Sequence, residues 1–116
     1  MLQMIESYSF GRMIIAGSIY TKDVIIFPDG SILSPWWRYQ GHVLALNDLD
    51  ALLATEPEII ICGTGAMGVL RPSAELQEYL AASSIEFVAR RSSEAVATYN
   101  KMVNKRRVGG CFHLTC

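Results

Sequence analysis

Two short runs of consecutive apolar residues limit what this chain can fold into. Val24–Phe27 and Ile59–Cys62 are rich in β-branched residues, and neither run alternates with polar residues as a half-buried strand does. A strand with apolar side chains on both sides has to be covered on both faces, which is typical of a sheet with layers packed against each side. The two runs therefore predict central strands of such a sheet.

The residues before Ser34 predict a β-rich N-terminal part. Alternation with period two predicts a short strand at Glu6–Phe10, and the apolar run Met13–Ala16, between the breaks at Gly11 and Gly17, predicts another. After the first apolar run, Pro28-Asp29-Gly30 has the composition of a tight turn. A strand at Ser31–Leu33 is expected to pair back across that turn.

The second part of the chain alternates between helices and strands. Apolar residues at helical spacing predict helices that begin with the capping residues Asn47, Ser73 and Ser92. The strands expected around them are Glu58–Cys62, Ile85–Ala89 and Val108–Thr115. Because such a succession requires crossover connections, we expect an α/β fold with a largely parallel half-sheet, formed by residues 1–116 as a single domain.

Composition excludes several classes of function. Only 18% of the 116 residues are charged and the formal net charge is −1, so general nucleic-acid binding, which requires excess positive charge, is not expected. No apolar run approaches the ~20 residues of a membrane-spanning helix, and Met1–Glu6 lacks the pattern of a secretion signal. The three cysteines form no CxxC pair, which predicts reduced thiols and no metal site. We expect a cytoplasmic protein that does not span a membrane.

A glycine-rich segment follows the second apolar run. Gly63–Gly68 reads Gly-Thr-Gly-Ala-Met-Gly, the G-x-G-x-x-G spacing that lets backbone amides approach a phosphate. However, the next helix is expected only from Ser73, and the acidic residue typical of dinucleotide sites is replaced by Arg90 and Arg91. NADP binding is therefore a minor alternative to a tight turn at the carboxyl edge of the sheet that lines an anion pocket.

Four residues are candidates for chemistry at this turn. Thr64, between two glycines, is the hydroxyl expected to face a ligand, and Arg38 or Arg107 is the expected counter-charge for an anion. His42 follows Gly41 in a loop and is either an acid–base group or an ordinary surface histidine.

Three other residues are interpreted as structural or left open. His113 lies in the closing strand and is interpreted as a satisfied strand histidine. Trp36 and Trp37 either form an aromatic wall beside Arg38 or pack their loop onto the core.

Several segments, each weak alone, together form a specific ordered pattern. They are Tyr8-Ser9-Phe10-Gly11, Ile14–Gly17 with Tyr20, Asp23–Ile26, Trp37-Arg38 with Gly41-His42, Pro57–Ile61 running into Gly63-Thr64-Gly65, Glu94-Ala95-Val96 with Tyr99-Asn100, and His113-Leu114. The pattern resembles a small domain-of-unknown-function family found in bacteria, archaea and mitochondria, which includes a mitochondrial respiratory complex I assembly factor and an adipogenesis-associated domain protein. It spans essentially the whole chain, and a free-standing member of bacterial or archaeal type is expected.

The resemblance implies a three-layer α/β fold with a mixed central sheet, a cleft at the Gly-Thr-Gly turn and no established catalytic activity. The family-like residues, matched by position, are Asp23, Arg38, His42, Gly63, Thr64 and Gly65, and Gly68 and Arg107 complete the candidate ligand-binding set. We expect a non-enzymatic binding or assembly-type domain with a protein partner and no cofactor. The alternative is a small anion- or nucleotide-binding protein or enzyme that uses the glycine-rich loop.

Overall fold

Residues 4–116 are described by the computed structural model, and they contain ten strands and three α-helices. The strands are β1 (Ile5–Ser9), β2 (Arg12–Ile15), β3 (Ser18–Tyr20), β4 (Val24–Ile26), β5 (Ile32–Leu33), β6 (Val43–Leu44), β7 (Ile59–Thr64), β8 (Arg71–Pro72), β9 (Glu86–Arg90) and β10 (Val108–His113). The helices are α1 (Asp50–Leu53), which follows a 3₁₀ turn at Leu46–Leu49, α2 (Ala74–Ala82) and α3 (Ser92–Met102). Residues 1–3, which begin the Met1–Glu6 segment expected to lack a secretion signal, lie outside the described residues.

A five-stranded mixed sheet with the order β5-β4-β10-β7-β9 lies at the centre of the fold. Strand β7 is parallel to both β10 and β9, whereas β4 is antiparallel to β10 and to β5. Gly110 of β10 is thereby in register with Ile26 on one side and Ile61 on the other. The predicted α/β class, the mixed sheet and its parallel second half are confirmed.

Alternate residues of the central strands pack into two separate cores. Ile59 and Ile61 face the layer formed by α3 and the three-stranded N-terminal sheet β1-β2-β3, whereas Ile60 and Cys62 face α1 and α2. Every residue of β7 and β10 is buried, and full burial of one isoleucine side chain stabilises the fold by about 1.5–3 kcal/mol. The predicted strands with two buried faces are therefore present, and they form the middle of three layers.

The helix predicted to begin at Asn47 is shorter and starts in another way. A 3₁₀ turn precedes the four residues of α1, and the carboxylate of Asp48 accepts hydrogen bonds from the amides of Ala45 at 2.8 Å and Tyr39 at 3.0 Å. The N-cap of the turn is Ala45, not Asn47, and Asp48 in the third position of the turn bonds back to it. Asp48 also ties the turn to the loop at residues 35–41. Ser73 does cap α2, since its Oγ accepts from the amide of Leu76 at 3.1 Å.

Helix α3 differs from the prediction at its N-terminus. Its N-cap is Arg91, and the hydroxyl of Ser92 instead accepts from the Gly65 amide at 2.9 Å and donates to the His113 carbonyl at 2.6 Å. The helix ends at Met102. Lys105–Arg107 therefore follow the helix and do not form its last turn.

Gly63 allows α3 to approach β7 closely. A Cβ atom at this position would lie 2.7 Å from Cδ1 of Phe112 and 2.8 Å from Oγ of Ser92. Both neighbours are completely buried and held by packing or hydrogen bonds, so neither can move aside cheaply. The first glycine of the glycine-rich segment is needed for packing.

We expect Gly63→Ala to lower the free energy of unfolding by about 1–3 kcal/mol, because the added methyl overpacks the contact between α3 and β7. Gly41→Ala is the matched control, since a Cβ at Gly41 meets nothing within 4 Å. Urea unfolding of both variants measures the difference. Equal stability of the two variants would show that the contact at Gly63 is not limiting.

Candidate functional site

A carboxylate, a guanidinium and an imidazole meet at one end of the central strands, where β10 ends and β4 begins. Asp23 directly precedes β4, Arg38 comes from the loop between β5 and β6, and His113 ends β10. Nη1 of Arg38 and Nδ1 of His113 each lie 2.8 Å from Oδ2 of Asp23. Oδ1 accepts the amide of Leu114 at 2.8 Å. One carboxylate thus joins two strands and a loop.

Asp23 is held in its charged form. Burial raises the pKa of its carboxyl group, but hydrogen bonds from His113, the Leu114 amide and Arg38 together outweigh burial and leave the pKa below its ordinary value. Since Oδ2 is then unprotonated, the 2.8 Å contact requires a proton on Nδ1 of His113. Arg38 Nη2, at 3.2 Å from the same nitrogen, is then a neighbouring charge and not a donor to it.

The other ring nitrogen of His113 is turned away from solvent. Nε2 is buried and has no hydrogen-bond partner among the described residues. A general base needs hydrogen-bond reach to the proton that it removes, and this buried nitrogen offers none to a molecule in the cleft. In this conformation the Asp23–Arg38–His113 cluster ties β4, β10 and the loop at residues 35–41 together.

A cleft of about 310 Å³ lies beside this cluster. Its lining combines the cluster with neighbouring loop residues, namely Thr21, Lys22, Asp23, Pro35, Trp36, Trp37, Arg38, Gly41, His113 and Thr115.

No group of three or more His, Cys, Asp or Glu side chains within residues 4–116 is arranged to hold a metal ion.

The loop at residues 35–41 points its side chains alternately inward and outward. Trp36 is 3% exposed and its Nε1 donates to the carbonyl of Asp48 at 3.1 Å. The guanidinium of Arg38 lies 4.9 Å from the centre of the Trp36 ring and also donates to the Gly41 carbonyl. Trp37 lies between Trp36 and Arg38, and Tyr39 follows Arg38; their side chains are 74% and 79% exposed. Of the two alternatives for the tryptophans, packing onto the core applies to Trp36, and an aromatic wall beside Arg38 applies to Trp37, which lines the cleft.

The two exposed aromatic rings border a second and larger groove, of about 550 Å³. We call it the aromatic groove. Its lining includes Ile25 and Trp36 from the core, the exposed side chains of Leu33, Trp37 and Tyr39, and the polar residues Asn47, Asp48 and Asp50.

Several of the residues predicted for the site do come together around His113. The rings of His42 and His113 are 6.4 Å apart and in edge contact. Thr64 is in register with His113 on the neighbouring strand, and a Cβ on Gly65 would lie 2.9 Å from Cδ2 of His113. Asp23, Arg38, His42 and Gly65 thus share one region, with His113 at its centre.

The glycine-rich loop itself is closed by the chain's own backbone. The amides of Ala66, Met67 and Val69 donate to the carbonyls of Thr115 and Cys116, at 2.7 to 3.3 Å, and a Cβ on Gly65 would overlap the backbone of Cys116. These amides are therefore engaged within the chain and do not converge on an open pocket in this conformation.

The remaining predicted residues lie apart from the cleft or are already bonded. The Thr64 hydroxyl donates to the carbonyl of Arg90 at 3.0 Å. Gly68 has a positive φ of 72° and sits against Thr64 and Arg91. Arg107 precedes β10, at the opposite edge of the sheet from the glycine-rich loop, and its guanidinium donates to the carbonyls of Thr55 and Glu56.

Reasoning from the sequence does not find the contact of His113 with Asp23, the exposure of Tyr39, or the hydrogen bonds that Asp48 accepts. The interpretation of His113 as a satisfied strand histidine holds for Nδ1, which bonds Asp23 at a distance of 90 positions along the chain, but not for Nε2, which has no partner among the described residues. One signal was available in the run Trp36-Trp37-Arg38-Tyr39. In an extended segment successive side chains point to opposite sides, so one aromatic residue of each neighbouring pair had to face outward.

We expect Asp23→Asn to destabilise the protein by about 3 kcal/mol near neutral pH, because it leaves the buried Arg38 without a counter-charge. The folded pKa of Asp23 lies below the unfolded value of 3.8, so its stabilisation is present above pH 3.8 and is lost as the pH falls through the folded pKa. The difference between wild type and variant should therefore shrink in acid. Urea unfolding between about pH 2 and 7 measures this difference.

Asp50→Asn removes one exposed carboxylate and is the matched control, expected to change stability by less than about 0.5 kcal/mol. A penalty for Asp23→Asn that did not diminish in acid would contradict an ionic role for Asp23.

Comparisons with known proteins agree with this fold. Residues 5–113 match the family described as "Protein of unknown function (DUF498/DUF598)". The chain is 42% identical over 112 residues to a Francisella tularensis protein named "13 kDa major membrane protein", covering 91% of this chain and 85% of that protein. Within residues 4–116 we find no helix with the length and apolar character needed to cross a bilayer.

Solved structures show the same architecture. A conserved hypothetical protein from Pyrococcus horikoshii superposes with a TM-score of 0.86 at 25% identity, covering 97% of this chain and 98% of that one. A protein from Bartonella henselae described as an outer membrane protein gives 0.81 at 23% identity, covering 99% and 97%. The match over residues 5–113 and the identity to the Francisella protein place this chain in the DUF498/DUF598 family of proteins of unknown function, as its pattern of short motifs indicated.

Proposed function

We propose that this protein is a non-enzymatic binding domain of the assembly type, and that a protein partner docks on the aromatic groove. One observation carries the proposal: Trp37 and Tyr39 are 74% and 79% exposed although their loop is firmly anchored. Leu33, 42% exposed, extends the apolar surface between them and the sheet edge. Contiguous exposed apolar surface with a polar border is typical of protein interaction sites.

The anchors fix the loop before any partner arrives. Trp36 is buried and bonded to Asp48, Arg38 is paired with Asp23, and the Tyr39 amide donates to Asp48 at 3.0 Å. Because the neighbours of the exposed rings are held, little backbone entropy remains to be lost on binding. The loop is therefore preorganised to present Trp37 and Tyr39.

The chemistry of the two rings suits a partner surface. A tryptophan or tyrosine side chain buries ~150–250 Å², and these two residue types dominate the residues that contribute most to binding at protein interfaces. At about 25 cal/mol per Å², covering both rings supplies several kcal/mol before the costs of association. That gain is available to a partner only if it reaches into the groove between them.

Site-specific photo-crosslinking tests the proposal. Benzoylphenylalanine is placed at position 37, with position 10 as the matched control because Phe10 is also exposed, at 62%, but lies outside the aromatic groove. We expect one discrete adduct from position 37 in the native cell and none from position 10. Cytosolic and membrane fractions are analysed separately, because the sequence predicts a cytoplasmic protein and the Francisella relative carries a membrane protein's name.

The protein found in the adduct is then purified and its affinity measured directly. Tyr39→Ala should weaken binding by about tenfold or more, whereas Phe10→Ala should change it less than about twofold. Equal adducts from both positions, an adduct containing two copies of this chain, or an affinity indifferent to Tyr39 would each overturn the proposal.

A further inference from the structure

The aromatic groove continues into a second cavity with acidic walls. This cavity, of about 440 Å³, shares Tyr39, Asn47 and Asp50 with the groove and adds Glu75 from helix α2. Asp50 and Glu75 are exposed, and neither forms an ion pair within the described part of the chain. Tyr39 therefore lines both cavities, together with Asp50, and Glu75 adds a second unpaired carboxylate in the smaller one.

The cationic side chain that borders the groove is already occupied. Among the described residues that line the two cavities, Arg38 is the one lysine or arginine. It is bonded to Asp23 and to the carbonyl of Gly41, and its side chain is 7% exposed. The charge that this surface shows to a partner is thus negative.

Negative charge also predominates in the part of the chain that forms the layer with the groove. Residues 44–83, which contain α1 and α2, have a single basic residue, Arg71, against six acidic ones, namely Asp48, Asp50, Glu56, Glu58, Glu75 and Glu78. Residues 84–107, which contain α3, have the opposite balance, with six basic residues (Arg90, Arg91, Lys101, Lys105, Arg106 and Arg107) and two acidic ones (Glu86 and Glu94). Of these basic residues, Lys101 belongs to α3, which packs on the face of the central sheet away from the groove. Arg107 lies near the end of α1, where its guanidinium is bonded to the carbonyls of Thr55 and Glu56, and it does not line the groove.

From these observations we infer that the partner segment seated in the aromatic groove is basic, with lysine or arginine next to apolar residues. The apolar part of such a segment packs against Leu33 and Trp37, which line the groove, and a cation beyond it pairs with Asp50 and Glu75, which line the second cavity. The faces of Trp37 and Tyr39 add a cation–π attraction to such a cation. This inference rests on the proposed function.

Selection from a random twelve-residue peptide library displayed on phage tests it, with the full chain as bait. We expect the selected peptides to be enriched in lysine and arginine beside aromatic or aliphatic residues. A synthetic peptide of the selected sequence should lose about 10-fold or more in affinity on Trp37→Ala.

A double variant measures the ionic part separately. Asp50→Asn with Glu75→Gln should weaken the peptide about 3- to 10-fold in low salt and much less at about 1 M salt, where the Debye length falls to ~3 Å. Glu56→Gln with Glu94→Gln removes the same charge outside both cavities and should change the affinity less than about twofold.

The outcomes separate the two proposals. Peptides that depend on Trp37 but are neutral or acidic would overturn the basic partner and leave the docking surface intact. Binding that ignores Trp37 would remove the docking surface, and the basic partner with it. Equal effects of the two double variants would show that only net charge matters, which also contradicts the inference.

Discussion

Burial of both faces of β7 and β10 is the constraint on which the rest of the structure depends. Their side chains alternate between two cores, so each face needs its own covering layer: α3 with the N-terminal sheet on one side, α1 and α2 on the other. The close approach of these layers explains small residues in the strands, since Gly63 admits Ser92 and Phe112, and a Cβ on Gly109 would lie 2.7 Å from Leu52. The glycine-rich segment thus serves packing at its first position and chain closure at its third.

The same strands fix the surface that we assign to a partner. β10 ends beside the start of β4, which brings His113 to Asp23, and Asp23 in turn holds Arg38. With Arg38 and Trp36 held on the inside of their loop, Trp37 and Tyr39 can only face outward. A buried charged cluster therefore has a consequence on the surface, since it orients the two exposed aromatic side chains on either side of Arg38.

Much of the fold followed from local patterns, and much of the site did not. The apolar runs predicted β4 and β7, and Ser73 predicted the start of α2, because burial and capping leave a signature within a few residues. Strands β6 and β8 have two residues each, too few to show a period. The N-terminus of α3 was misplaced by one residue because Ser92 bonds across the sheet instead of capping its own helix.

The sequence by itself determined the α/β class, the buried strands, the family and the presence of Asp23, Arg38 and His42 in one set of polar residues. Only the tertiary structure decided that His113 completes their cluster, that Arg107 lies at the opposite edge, and that the glycine-rich loop is closed by Thr115 and Cys116. The physical reason is the range of the interactions. Periodicity and capping act between near neighbours, whereas this cluster and this closure join residues tens of positions apart, which are brought together only by the order of strands in the sheet.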